Sequence, residues 1–187
     1  MNNLTDYIKV YPWLDKKLCD QIRKEIKKVT WEQHEFYNVA SKQYNPISGN
    51  KELDISWSNI PSKQELTQKV WEVINKYILT DFKSDYFDGW QGFTDIRFNR
   101  YKKDKTMAKH CDHIHSMFDG ERKGVPILSI VGLLNDDYKG GEFIMFDDME
   151  IKLKQGDILI FPSNFLYPHK VNLVTKGIRD SFVSWVW

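Results

Sequence analysis

Ile96-Arg97-Phe98-Asn99-Arg100-Tyr101, a lysine-rich loop, then Lys109-His110-Cys111-Asp112-His113-Ile114-His115: within this run the chain changes character. Before it, apolar residues recur at helical spacing; from Phe93 onward they recur at every second position. Ile96, Phe98 and Arg100 leave one face of an extended segment, and Arg97, Asn99 and Tyr101 leave the other. Short apolar segments follow, at 127–134, 142–146, 151–153, 158–161, 171–174 and 178–187. They are punctuated by Asn135-Asp136-Asp137-Tyr138-Lys139-Gly140-Gly141 and Gln155-Gly156-Asp157. Many short strands with turn residues and no helices between them predict an antiparallel sandwich or barrel. A double-stranded β-helix, or jelly roll, is the arrangement that best manages the sheet edges of such a series.

The N-terminal part reads as support. Asp15 is placed to cap a helix whose apolar stripe is Leu18, Ile22, Ile26 and Val29. Ser62-Lys63-Gln64-Glu65 has the pattern of a capping box ahead of Leu66, Val70, Val73 and Tyr77. Trp31 to Val39 fits a strand, with His34 in it as a structural or surface residue, and 40–59 an irregular polar connection. The fold class is therefore mainly β with flanking helices. It forms one domain over 1–187, with helical support over about 1–92 covering one face of the strands at about 93–187.

Composition narrows the function. A net charge of +1 gives no basic field for nucleic acid. Two cysteines, Cys19 and Cys111, are too few for a disulfide framework. No apolar stretch approaches the ~20 residues of a membrane span, and no signal peptide is visible, so a soluble cytoplasmic protein is expected. Neither nucleic acid nor membrane is expected as a partner, and the oligomeric state is open.

The chemistry begins with His110 and Asp112, two residues apart and so on one face of an extended strand. His169 is the distant histidine placed to join them. Two imidazoles and one carboxylate on one side of a metal leave the opposite positions open, the donor set suited to mononuclear non-haem iron. On the last strand, Arg179, Ser181, Val183 and Trp185 share a face. A guanidinium buried there requires an anion. A carboxylate matches its planar fork, Ser181 can add a hydroxyl, and Tyr101 another.

His110-Cys111-Asp112, His169 and Arg179-Asp180-Ser181 come in an order that resembles the Fe(II)/2-oxoglutarate-dependent dioxygenases. The likeness is strongest to the prolyl 4-hydroxylase-like branch with its short phage and bacterial members. Leu134-Asn135, Gly140-Gly141-Glu142, the run from Gly156 to Pro162, and Gly177-Ile178-Arg179 are similar too. The resemblance implies Fe(II) on His110, Asp112 and His169, and 2-oxoglutarate with its far carboxylate on Arg179, Ser181 and Tyr101. It also implies O2 as oxidant and ascorbate as a reductant. The reaction would hydroxylate a substrate C–H bond and release succinate and CO2. A prolyl residue of a peptide or protein is the first substrate to consider, and a free amino acid or other small molecule the next. Two departures stand out: Leu128 to Leu134 lacks the tyrosine that the branch often carries there, and Arg179 stands where the collagen-type enzymes use lysine.

His113 and His115 form an H-x-H pair that a cupin would use for metal, yet the downstream glutamate of that pattern is missing. They are read as residues facing substrate or as simple surface, Trp185 as facing substrate, and Trp90 and Arg97 as lining the entrance or belonging to the scaffold. Cys111 is assigned to packing and Glu142 to a turn. Two other classes stay open: a cupin-like zinc or manganese enzyme using the same ligands, and a non-catalytic jelly-roll binding module. If metal binding follows the unperturbed histidine pKa, occupancy falls below about pH 6.5.

Overall fold

The computed structural model describes residues 3–38, 41, 43–45, 49–84, 92–112 and 126–187. Fifteen strands and two α-helices are defined among them. The first strands are β1 (Lys9–Pro12), β2 (Glu32–Gln33), β3 (Phe36–Asn38), β4 (Gln43–Asn45) and β5 (Asp54–Ser56). The central ones are β6 (Arg97–Tyr101), β7 (Met107–His110), β8 (Leu128–Leu133), β9 (Lys139–Gly140) and β10 (Phe143–Met145). The chain ends with β11 (Met149–Ile151), β12 (Asp157–Pro162), β13 (His169–Val171), β14 (Val174–Lys176) and β15 (Arg179–Val186). The helices are α1 (Lys16–Glu25) and α2 (Lys63–Asn75), and a π-helical turn at Lys76–Asp81 prolongs α2.

A seven-stranded antiparallel sheet runs β1-β12-β8-β15-β6-β5-β2, and a four-stranded one runs β11-β10-β13-β7. Period-two alternation sorts their side chains into two cores. Ile158 and Ile160 of β12 join Ile96, Phe98, Ile130 and Phe182 beneath Leu18, Ile22, Leu66, Val70 and Val73 of the helices. Leu159 and Phe161, one pleat away, join Tyr101, Val131 and Val183 against Met107, Phe143, Met145 and Val171 of the smaller sheet. The result is three layers, helices on large sheet on small sheet, with neither sheet closed on itself. That is the expected mainly-β jelly roll covered on one face by the N-terminal helices.

Two close fits hold the layers in register. A Cβ on Gly132 of β8 would lie 2.0 Å from the Phe182 ring of β15, so only glycine lets that ring cross β8. Asp180, buried on the helix-facing side of β15, receives Arg100 Nε at 2.7 Å and Arg23 Nε of α1 at 3.4 Å. Its backbone N–H donates to Asn135 Oδ1 at 2.7 Å.

Of three local expectations one holds and two change. Asp15 caps α1 by accepting from Leu18 N at 2.7 Å, as its sequence position predicts. Ser62 does not form the capping box: its own dihedrals are helical and its side chain makes no cap bond. Its N–H and hydroxyl instead donate to Glu25 at the end of α1, each at 2.9 Å, so a tertiary acceptor outcompetes the local one. The supposed irregular stretch at 40–59 contains β5, which pairs with β6 and extends the large sheet. No described helix is long and apolar enough to cross a membrane.

Candidate metal centre

The small sheet brings the two histidines together. His110 ends β7 and faces His169, the first residue of β13, as its ladder partner. Asp112 lies two residues past the strand and turns back toward both. His110 Nε2 is 3.4 Å from Asp112 Oδ1, and His169 Nε2 is 3.9 Å from Asp112 Oδ2. One donor atom from each residue lies within 4.8 Å of the others. Adjacent ligands on an ion with bonds of about 2.1 Å sit about 3 Å apart, so a small inward shift completes the site.

Each ring is oriented from behind. The His110 Nδ1–H is placed to donate to the Ala108 carbonyl at 2.8 Å, and that of His169 to the Tyr167 carbonyl at 3.1 Å. This leaves both Nε2 lone pairs pointing inward, the tautomer a metal needs. Phe143 stacks on His169 at 5.3 Å, and Phe36 meets His110 edge-on at 5.3 Å. Ser129 Oγ donates to Asp112 Oδ2 at 2.5 Å and lies 3.0 Å from Ser163 Oγ.

The charges suit a cation. Burial alone would raise the Asp112 pKa, but His169, His110 and the Ser129 hydroxyl overcome it and hold the carboxyl well below the usual range. Burial pushes His169 down to about 4, against the pull of Asp112, so its imidazole is neutral at pH 7. An ionised carboxylate beside a neutral, preoriented imidazole fits Fe(II) or a similar divalent ion.

A second feature lies in the same cavity. Arg179 is 1% exposed, the largest fully buried side chain among the described residues. Its Nη1 donates to Ser181 Oγ at 2.9 Å, its guanidinium lies 5.0 Å over the Tyr101 ring, and its Nε has no partner. Gly141 makes room for it, since a Cβ there would lie 3.1 Å from Arg179 Cδ. No carboxylate of the described residues forms an ion pair with it, so the orphaned donor fits an anionic ligand. His110, Asp112, His169, Tyr101 and Arg179 line one cavity, walled by Val171, Phe143 and Trp185.

Arg97 lines this cavity too, where the sequence placed it at an entrance. Cys111 turns away and donates its thiol to the Phe165 carbonyl at 3.4 Å. His34 is buried against Phe36 rather than exposed, and is not among the three clustered donors. His113, His115 and Trp90 lie outside the described residues. Sequence reasoning missed Ser129 and Asn99; the signal for Ser129 was a lone hydroxyl in the otherwise apolar run 127–134.

Fold and donor set together suit a mononuclear metal centre built on a jelly roll. The sequence profile of the 2OG-Fe(II) oxygenase superfamily matches residues 96–187, and this part of the chain is similar to that superfamily. A PKHD-type hydroxylase of Idiomarina loihiensis is 35% identical over 94 residues, covering 49% of this chain and 41% of the relative. One from Xylella fastidiosa is 31% identical over 138 residues, covering 67% and 56%. The chain thus spans about half the length of the curated relatives it matches. Among solved structures, the viral collagen prolyl hydroxylase of Paramecium Bursaria Chlorella virus-1, with 2OG bound, superposes with TM-score 0.69 at 19% identity over 96% of this chain and 94% of that one. A Pseudomonas putida prolyl-4-hydroxylase gives 0.66 at 18% identity over 96% and 91%. At these identities the likeness speaks for the fold.

Proposed function

We propose that this protein is an Fe(II)- and 2-oxoglutarate-dependent dioxygenase that hydroxylates a C–H bond, with residues 1–187 acting as one catalytic unit. The observation that carries the reading is the convergence, in one cavity, of a three-donor cluster and a buried arginine whose Nε lacks a partner. In this reading His110, Asp112 and His169 hold the iron. Bound there, Fe(II) supplies the activation of O2 that couples 2-oxoglutarate decarboxylation, to succinate and CO2, to C–H hydroxylation. Arg179 pairs with the far carboxylate of the cosubstrate, Ser181 holds the guanidinium in plane, and the Tyr101 hydroxyl supplies a further donor. Ser129 keeps the Asp112 oxygens aimed inward. Val171, Phe143 and Trp185 exclude water from the reacting centre.

Prolyl hydroxylation is the leading substrate reading, supported by the company the fold keeps, with ascorbate as the reductant that would keep the iron ferrous. The deciding experiment is anaerobic titration with Fe(II) and 2-oxoglutarate, which is expected to give a weak visible charge-transfer band and then succinate once O2 is admitted. No band, together with no succinate, would refute the assignment.

A further inference from the structure

The cavity holds a second cation that the cosubstrate does not use. Arg97 is more than nine-tenths buried, and its Nε donates to Asn99 Oδ1 at 3.1 Å. Its guanidinium lies 4.9 Å over the Trp185 ring and 6.0 Å from the Trp57 ring. Among the described residues, its two terminal nitrogens donate no hydrogen bond and no carboxylate lies within ion-pair distance of it. Asp112 acts on it only at longer range and is committed to the metal. Burial lowers its pKa to about 10, which leaves it fully cationic at neutral pH.

Its position separates it from Arg179. In the β6–β15 ladder Arg97 lies opposite Val183, whereas Arg179 lies opposite Tyr101. That is four positions along the strands, roughly 13 Å. A five-carbon diacid anchored at Arg179 and reaching the metal does not also reach Arg97. The cavity is thus cationic at both ends with the donor cluster alongside, and the Arg97 end carries the aromatic walls. A planar guanidinium held over the Trp185 ring, its terminal nitrogens unpaired among the described residues, is placed to take a carboxylate bidentately. Lys63, itself buried, steadies that wall by donating to the Trp57 and Ser58 carbonyls at 3.3 and 3.4 Å.

We infer that Arg97 is the anion subsite of the primary substrate, which is a small free carboxylic acid, an amino or imino acid being the simplest. This rests on the oxygenase reading and narrows it: free proline satisfies both, whereas an internal prolyl residue brings no carboxylate to Arg97.

The test uses the full chain loaded anaerobically with Fe(II) and 2-oxoglutarate. The probes are L-proline and other free L-amino acids, their primary amides, and end-blocked peptides carrying either an internal proline or an acidic side chain. Binding is read from tryptophan fluorescence and the shift of the visible band, and coupling from succinate release. At least one free acid is expected to bind tenfold or more tighter than its amide. Arg97→Met should abolish that preference, Arg97→Lys should keep part of it, and the band should persist in both variants. Equal binding of acid and amide, an unaltered preference in Arg97→Met, or no binding by any free acid overturns the inference while an intact band leaves the oxygenase standing. Tighter binding of the blocked peptides also overturns it. A wild-type protein with no band sinks both.

Discussion

At the scale of single residues, the site divides into atoms that would touch a ligand and atoms that aim them. Arg179 belongs to the first group. Replacing it by alanine should raise the 2-oxoglutarate concentration needed for half-maximal band formation at least tenfold, with iron still bound; unchanged cosubstrate affinity would refute the pocket assignment. Ser129 belongs to the second. Its hydroxyl meets Asp112 at 2.5 Å, so Ser129→Ala should weaken iron binding by about 10–100-fold, the usual effect of losing a group that orients a ligand, without moving 2-oxoglutarate affinity at saturating metal. Competitive metal titration measures the first quantity, and the visible band the second.

At the scale of elements, β15 couples the site to the scaffold. Its odd-numbered face carries Arg179, Ser181, Val183 and Trp185 into or beside the cavity, and its even-numbered face packs Phe182 and Val186 beneath the helices. Asp180 on that second face ties α1 to β6 through Arg23 and Arg100. Asp180→Ala leaves Arg100 buried without its carboxylate and should cost about 3–5 kcal/mol of unfolding free energy, read from urea denaturation. Gly132→Ala forces a methyl into the Phe182 ring and should cost about 1–3 kcal/mol, more if the strands cannot part. A neutral result for Gly132→Ala would mean that β8 and β15 are not held as described, and one for Asp180→Ala that α1 and β6 are not tied through β15.

At the scale of the whole molecule, buried histidines link folding to pH. His169 and His34 are pushed by burial to about 4 and about 3, while in the unfolded chain each titrates near 6.5. Below pH 6.5 the unfolded state therefore takes up protons that the native state refuses, and stability falls as pH drops toward 4. For His169 alone the loss is about 3 kcal/mol across that window. Metal-free protein should melt progressively lower from pH 6.5 downward, and divalent metal should raise the melting temperature; a pH-independent melting temperature over that range would contradict the burial of both rings. It also moves the acid limit of His169 as a ligand below the value an exposed histidine would set. Much of this was legible in the chain. Strand parity decided which residues of β6 and β15 share a face, because the extended backbone alternates side chains whatever the surroundings. The order of His110, Asp112, His169 and Arg179 pointed to the chemistry. Contacts between distant segments are not written in any local pattern, so tertiary structure alone decided that Ser62 would serve Glu25 instead of its own helix, that Ser129 would meet Asp112, that β5 would join the large sheet, and that the Arg97 guanidinium would lie over the Trp185 ring. Local periodicity dictates which way a side chain points, and only packing dictates what it meets.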